Sequence, residues 1–263
     1  MQNHNKSRKN GFTLAEVLIT LGVIGVVAAL TLPSVISNYK EREYIAKLKK
    51  SYSILNQAFN AAIADYGTVD NWCERPLDRA RCALNMRDII AKYLVLGHKC
   101  NDNLISHLKC MQRYYKSELG DNTLLTTAAL YSLITNDGIG YLFLAVPGDG
   151  YDNNWCKTTA NDLTSGSFFY NCGYIYVDIT GPSKPNVIGK DLFAFKIFQD
   201  GVRPGGIPAD TVWTERFKDQ CLGTNSFGVS KAWCAGWVII NDNMDYWHCN
   251  DLDWNTKTSC KKK

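Results

Sequence analysis

Lys9-Asn10-Gly11-Phe12-Thr13-Leu14-Ala15-Glu16-Val17 joins a basic leader to an apolar segment. Lys6, Arg8 and Lys9 precede Gly11, and over residues 12–32 the only charged side chain is Glu16. That segment is long enough to cross a hydrocarbon core as a helix, and the basic residues before it predict a cytoplasmic N-terminal side. A cleaved secretory signal shares the basic leader, and Ala28-Ala29 imitates its small-residue cleavage site. Its apolar core is usually shorter, however, and here the apolar pattern continues through Leu32. A carboxylate in apolar surroundings is costly unless paired, so an ionisable group inside a membrane segment points to function. Glu16 is poorly explained by a soluble protein or an ordinary anchor. It makes sense if the chain is cut after Gly11 and assembled through the amine this creates at Phe12. The bland alternative is a glutamate hydrated at the membrane edge.

Residues 9–33 resemble the processing and assembly signal of type IV pilins and of the pseudopilins of type II secretion. The resemblance implies that a prepilin peptidase cleaves after Gly11 and N-methylates Phe12. It implies that Glu16 of one subunit neutralises the α-amine of another, and that Pro33 stands where many members carry a helix-interrupting proline. The implied partners are the peptidase, homologous pilin or pseudopilin subunits and the inner-membrane assembly machinery. The implied location is the bacterial inner membrane, single-pass, with a cytoplasmic N-terminus and an extracytoplasmic head, followed by a filament. Gly189-Lys190-Asp191-Leu192-Phe193-Ala194-Phe195 loosely resembles a pseudopilin sheet segment.

Gly22, Gly25, Ala28 and Ala29 keep the membrane segment slim, which permits close helix approach. Pro33 lacks an amide hydrogen and clashes with the preceding turn, so it is either a kink or a helix boundary. Beyond it, Tyr44, Ile45, Leu48, Tyr52, Leu55, Phe59, Ala62, Ile63 and Tyr66 recur at three- and four-residue steps. They predict an amphipathic stalk helix with one apolar stripe, stopped at Gly67. The expected organisation is a leader (1–11), a transmembrane or filament-core helix (12–32), a stalk helix (33–66) and a globular head (67–263).

All ten cysteines lie in the head, none in the leader or the membrane helix. An even number in an exported region points to disulfides. Sequence alone leaves the connectivity open, and pairing between neighbours is preferred: Cys73 with Cys82, Cys100 with Cys110, Cys156 with Cys172, Cys221 with Cys234, and Cys249 with Cys260. Zinc is the rival use, but no Cys-x-x-Cys pair occurs, and His98, His107 and His248 match no familiar zinc spacing. Residues 84–96 and 123–134 read as helices. Residues 141–146, 174–179, 192–198 and 237–240 read as strands, with turns at Asn136-Asp137-Gly138 and Pro147-Gly148-Asp149-Gly150. The expected fold is α+β, a long N-terminal helix packed against a disulfide-stabilised head with an antiparallel sheet.

The head contains no Walker loop, His-Glu-x-x-His motif or recognisable Ser-His-Asp arrangement, so no catalytic residue and no cofactor are expected. Calcium is a weaker expectation. Asp251-Leu252-Asp253-Trp254-Asn255 opens like a calcium loop, but the central Gly is missing and Lys262 stands where the closing Glu belongs. Asp149 with Asp152, and Asp242 with Asp245, are further oxygen pairs, all explicable as solvated turns. Trp72, Trp155 and Trp233 each precede a cysteine and are candidates to pack over disulfides, and Trp247 and Trp254 are candidates for an adhesive surface, with core packing the default for all of them. Loss of Lys6, Arg8 and Lys9 with the leader lowers the basic residues from 29 to 26 against 25 acidic ones. Lys261-Lys262-Lys263 is then a basic tail, not a phosphate-binding track, so nucleic acid is disfavoured as a partner.

Three classes of function compete: a structural subunit of a pilus or secretion pseudopilus; a minor tip subunit binding a surface, a secreted substrate or DNA; and an anchored periplasmic enzyme or receptor. Cleavage after Gly11 would leave 252 of the 263 residues, large for a major subunit, which tilts towards a specialised one.

Overall fold

The computed structural model describes residues 13–73, 78–100, 108–117, 120, 122–124, 131–145, 156, 171–208, 217–223 and 230–260. The chain divides into two compact units, Met1–Arg42 and Glu43–Lys263. Helix α1 (Leu14–Tyr66) contributes to both.

In the larger unit, α1 buries Ile45, Leu48, Ser51, Leu55, Ala58, Phe59 and Ala62, at the three- and four-residue spacing of one helix face. Tyr44, Tyr52 and Ile63 lie at its margins, half-buried against the core, while Tyr66 of the expected stripe is exposed. Ser51 is tolerated inside because its hydroxyl donates to the Leu48 carbonyl at 2.8 Å. The helix ends as the sequence predicts. Gly67 takes φ +75°, and its N–H donates to the Ile63 carbonyl at 2.9 Å, a left-handed C-terminal cap.

Helix α2 (Arg79–Ile90) is capped by Asp78, whose carboxylate accepts the N–H groups of Ala80 (2.9 Å) and Arg81 (3.2 Å). The expected helix over residues 84–96 therefore begins earlier and ends earlier. The strands are β1 (Leu96–Cys100), β2 (Tyr114–Lys116), β3 (Asn122–Leu124), β4 (Tyr131–Thr135), β5 (Gly140–Ala145), β6 (Gly173–Asp178), β7 (Leu192–Phe198) and β8 (Gly201–Pro204). Six form one sheet in the order β1-β4-β5-β6-β7-β8, antiparallel throughout, and β2 pairs with β3 separately. The Asn136-Asp137-Gly138 turn links β4 to β5 with Gly138 at φ +84°. Pro147-Gly148-Asp149-Gly150 and Val146 lie outside the described residues.

Two sequence expectations are corrected. Residues 123–134 are not one helix: Thr123 and Leu124 belong to β3, and Tyr131 to Ile134 lie in β4, with 125–130 outside the described residues. Pairing of β4 with both β1 and β5 overrides local propensity there. Residues 237–240 are not a strand but part of helix α3 (Ala235–Asn241), closed by Asp242 in the left-handed region.

The sheet has a core on each face. Tyr141, Phe143, Ile175, Val177, Phe193, Phe195 and Ile197 join the buried face of α1, α2 and α3 in one cluster. Leu142, Tyr174, Tyr176, Leu192 and Ala194 join Cys100, Cys110, Met111, Tyr115, Ile188 and Trp233 in the other. This second layer explains why every residue of β6 and β7 is buried, where a one-faced antiparallel sheet would alternate.

Five disulfides, all between sequence neighbours, tie the head: Cys73–Cys82, Cys100–Cys110, Cys156–Cys172, Cys221–Cys234 and Cys249–Cys260. Each closes a loop of 9 to 16 residues, short enough that restraint of the unfolded chain contributes about 3 kcal/mol apiece. Among the described residues no cysteine is free.

Candidate functional site: the N-terminal assembly segment

The smaller unit begins, among the described residues, with a reciprocal cap. Thr13 donates to Glu16 Oε2 through its N–H and its hydroxyl, both at 2.8 Å. Glu16 N–H returns a bond to Thr13 Oγ1 at 3.3 Å. Thr13-x-x-Glu16 is thus a capping box, which satisfies donors left orphaned at a helix start. The signature was readable in the sequence but hidden behind the question of what pairs with the Glu16 charge. A carboxylate at this helix end also meets the positive pole of the helix dipole. Gly11, the expected cleavage residue, and Phe12, the residue expected to be methylated, lie outside the described residues, as do Lys6, Arg8 and Lys9.

From Leu14 onward the helix is unbroken in its hydrogen-bonded assignment, Pro33 included. The Thr20 and Thr31 hydroxyls fold back onto the carbonyls of Glu16 (2.9 Å) and Val27 (3.0 Å), so neither presents an unpaired polar group. Leu14, Leu18, Ile19, Leu21, Ile24, Val26 and Leu30 are all more than half exposed. A Cβ added at Gly22 or Gly25 would meet nothing within 4 Å. This is the one described helix long and apolar enough to cross a membrane, with mean hydropathy 2.3 over an 18-residue stretch of which none is buried. An apolar surface of this extent marks an interaction site.

The other residues singled out from sequence are mostly engaged inside the head. In the calcium-like loop, Lys257 Nζ contacts Asp251 Oδ1 (2.6 Å) and Oδ2 (2.5 Å), and Lys218 Nζ pairs with Asp253 Oδ2 at 2.6 Å. Lys218, with the backbone donors of Asn255 and Thr256, holds Asp253 well below the usual carboxylate range, and Lys257 lowers Asp251. Lysine ammonium groups thus occupy the oxygens a calcium ion would use. Asp242 pairs with Lys49 at 2.6 Å, and Asp245 accepts the Cys260 N–H at 2.7 Å, so these two acids serve separate contacts. Asp149, Asp152, His107, Trp155 and Lys262 lie outside the described residues.

The tryptophans likewise pack internally. Trp72 stacks on Phe59 and Trp233 meets Tyr174 edge-on. Trp254 packs against Phe217 and Trp237 with ring centroids 5.3 and 4.8 Å apart. Trp247 donates to the Gly189 carbonyl at 3.0 Å beneath the Lys190 and Lys231 ammonium groups. Packing against the core, the default reading, describes Trp247 and Trp254 better than an adhesive surface: both rings are half-buried and committed to neighbours. Beside Trp254 an open cleft of about 440 Å³ is lined by Ile207, Pro208, Phe217, Lys218, Asp219, Asp253 and Asn255.

The prokaryotic N-terminal methylation motif matches residues 6–32, the leader together with the apolar helix. That match and the exposed apolar helix define a pilin-like subunit carrying a prepilin-type signal, one processed by prepilin peptidase and assembled with other pilin subunits. The chain belongs to the family described as "Family of unknown function (DUF6613)", whose model matches residues 34–242. No curated protein and no solved structure matches the chain.

Proposed function

We propose that this protein is a structural subunit of a type IV pilus or a type II secretion pseudopilus, assembled through α1 after cleavage between Gly11 and Phe12. One observation carries the reading: the methylation motif covers the apolar part of α1, up to Leu32, and the sole acid of that part, Glu16, sits in the first turn of the helix. The subunit is made in the inner membrane with its N-terminus cytoplasmic and its head outside, then drawn into a filament by the assembly machinery. In the filament, Glu16 of one subunit meets the N-methylated Phe12 amine of another, and Pro33 gives the helix a weak point during extraction. The role is mechanical, without catalysis and without a cofactor, calcium included.

The alternative is a minor subunit at the filament tip that engages a surface, a secreted substrate or, least of all, DNA. The cleft beside Trp254 supports it, since a partly apolar hollow with a few polar groups is the usual form of a small-ligand site.

Immunogold labelling of sheared filaments with antibody against the head tests the proposal. Label along the shaft supports the structural subunit, and label confined to ends supports the tip role. Filaments free of label in cells that contain the protein contradict both.

A further inference from the structure

Asp178 closes β6 and Asp191 immediately precedes β7, so the two acids bracket the turn formed by residues 179–190. Neither has any solvent exposure. Among the described residues, no lysine, arginine or histidine forms an ion pair with either carboxylate. What joins them is the Thr180 hydroxyl, 3.1 Å from Asp178 Oδ1, from Asp191 Oδ2 and from the Ser183 carbonyl. A hydroxyl carries one proton and can also accept, so it cannot donate to all three.

The remaining donors break the symmetry. Asp191 receives two backbone N–H groups, from Asn186 on Oδ2 at 2.6 Å and from Val187 on Oδ1 at 2.7 Å. Backbone donors of this kind favour an ionised carboxylate. Asp178 receives the Tyr115 hydroxyl on Oδ2 at 2.6 Å and the Thr180 N–H on Oδ1 at 2.9 Å. Two neighbouring charges of one sign, out of contact with water and without a cation, cannot both be kept cheaply. A single proton on Asp178 Oδ1 removes the conflict. That oxygen then donates to Thr180 Oγ1 and Thr180 donates to Asp191 Oδ2; the Ser183 carbonyl gives up the Thr180 proton, and the Tyr115 and backbone N–H bonds to the two acids are unchanged.

We propose that Asp178 and Asp191 hold one proton between them at neutral pH, in a directed chain from the Asp178 carboxyl through the Thr180 hydroxyl to the Asp191 carboxylate, which makes this turn an acid-strengthened brace of the head. Burial, then the charge of Asp191, pushes Asp178 well above the usual carboxylate range, and burial pushes Asp191 up to about 6. The titratable groups facing the pair are Tyr115 from β2 and Tyr44 from α1. Each is raised first by burial, Tyr115 next by Asp178 and Tyr44 next by Asp191. The brace reaches beyond its own turn. Lys116 N–H donates to the Asn186 carbonyl at 2.8 Å, Ile188 N–H to the Lys116 carbonyl at 3.0 Å, and Gln112 Nε2 to the Pro182 carbonyl at 2.8 Å.

Both folded-state pKa values stand above the unfolded one, so the folded head binds protons that the unfolded chain releases. Its stability is fullest at acid pH and declines as pH rises through the ordinary aspartate range. The share of Asp191 is lost by about pH 6, and that of Asp178 continues to decline above it. One retained proton lowers the folding equilibrium constant about tenfold for each pH unit in that upper window.

The test is unfolding of the full chain in detergent micelles between pH 6 and pH 8, for wild type, Asp178→Asn and Asp191→Asn, with infrared spectra of the folded state. Wild type should lose about tenfold more in folding constant per pH unit than Asp178→Asn. Asp191→Asn should be the less stable of the two variants, because its amide would face the Asn186 and Val187 donors. A protonated-carboxyl band should be present at pH 7 in wild type. Selective isotope labelling of aspartate assigns that band in the unmutated chain, so the test survives a variant that fails to fold. Equal pH slopes in wild type and Asp178→Asn, or absence of the band, would overturn the proposal. So would calcium-dependent stabilisation, reversed by chelation, in a chain with both acids ionised.

Discussion

Thr13 and Glu16 cap the apolar helix reciprocally, with both Thr13 donors on Glu16 Oε2 at 2.8 Å and the Glu16 N–H on Thr13 Oγ1 at 3.3 Å. The carboxylate proposed to meet another subunit's amine therefore already shapes its own helix start. The two roles are separable by substitution. Glu16→Gln keeps a residue able to close a capping box but removes the charge, whereas Glu16→Ala removes both. Glu16→Gln should insert in the membrane normally and still lose filament yield by about tenfold or more, the scale of one charge-assisted bond of roughly 1.5–3 kcal/mol. Thr13→Ala should cost only about 1 kcal/mol of helix stability and leave substantial assembly. Quantified filament and membrane fractions check all three variants, and wild-type yield from Glu16→Gln would remove the charge from the account.

Leu55 and Phe59 have no exposed surface and sit where α1 meets the sheet cluster. Leu55→Ala should cost about 2–5 kcal/mol and Phe59→Ala about 3–5 kcal/mol, read as lowered melting of the full chain in detergent. Changes of under 1 kcal/mol would mean that this helix face is not packed as described.

Cys100 and Cys110 are fully buried on the second face of the sheet, whereas Cys249 and Cys260 are only half-buried. Replacing the first pair by Ala should cost about 2–4 kcal/mol, and more than replacing the second. Parallel denaturant titrations give the comparison. A reversed order would place the main restraint at the C-terminal loop.

Gly189 adopts φ +78°, and a Cβ there would stand 2.7 Å from both the Lys231 Cβ and the Lys231 carbonyl oxygen. Its own carbonyl accepts from Tyr246 (2.6 Å) and Trp247 (3.0 Å). Gly189→Ala should therefore destabilise the head by more than about 1 kcal/mol. A neutral result, measured by thermal unfolding, would show that the Lys231 segment yields.

The elements legible in the sequence were those with enough length or regularity to declare a period. The stripe from Tyr44 to Ile63 and the stop at Gly67 give the end of α1, and residues 192–198 give β7 residue for residue. Trp237-Val238-Ile239-Ile240 was too short to distinguish strand from helix by pattern. Its helical state rests on Gly236, whose N–H donates to the Gly205 carbonyl at 2.8 Å, a contact from another part of the chain. Tyr131 to Thr135 became a strand through partners on both sides, information no local window contains. Of the assembly segment, the charge pattern was plain, and the Thr13–Glu16 box was a missed local signature. The Asp178–Thr180–Asp191 chain joins atoms whose approach depends on the folded turn, so nothing in the spacing of those residues announced it.

The central claim is that α1 serves first in the membrane and then in a filament, after the leader is removed. Intact-mass spectrometry of the protein from isolated native filaments tests it most directly. The account predicts a chain beginning at N-methylated Phe12 with all five disulfides closed. Full-length, unmethylated protein found only in the membrane fraction of cells with an active prepilin peptidase would contradict it.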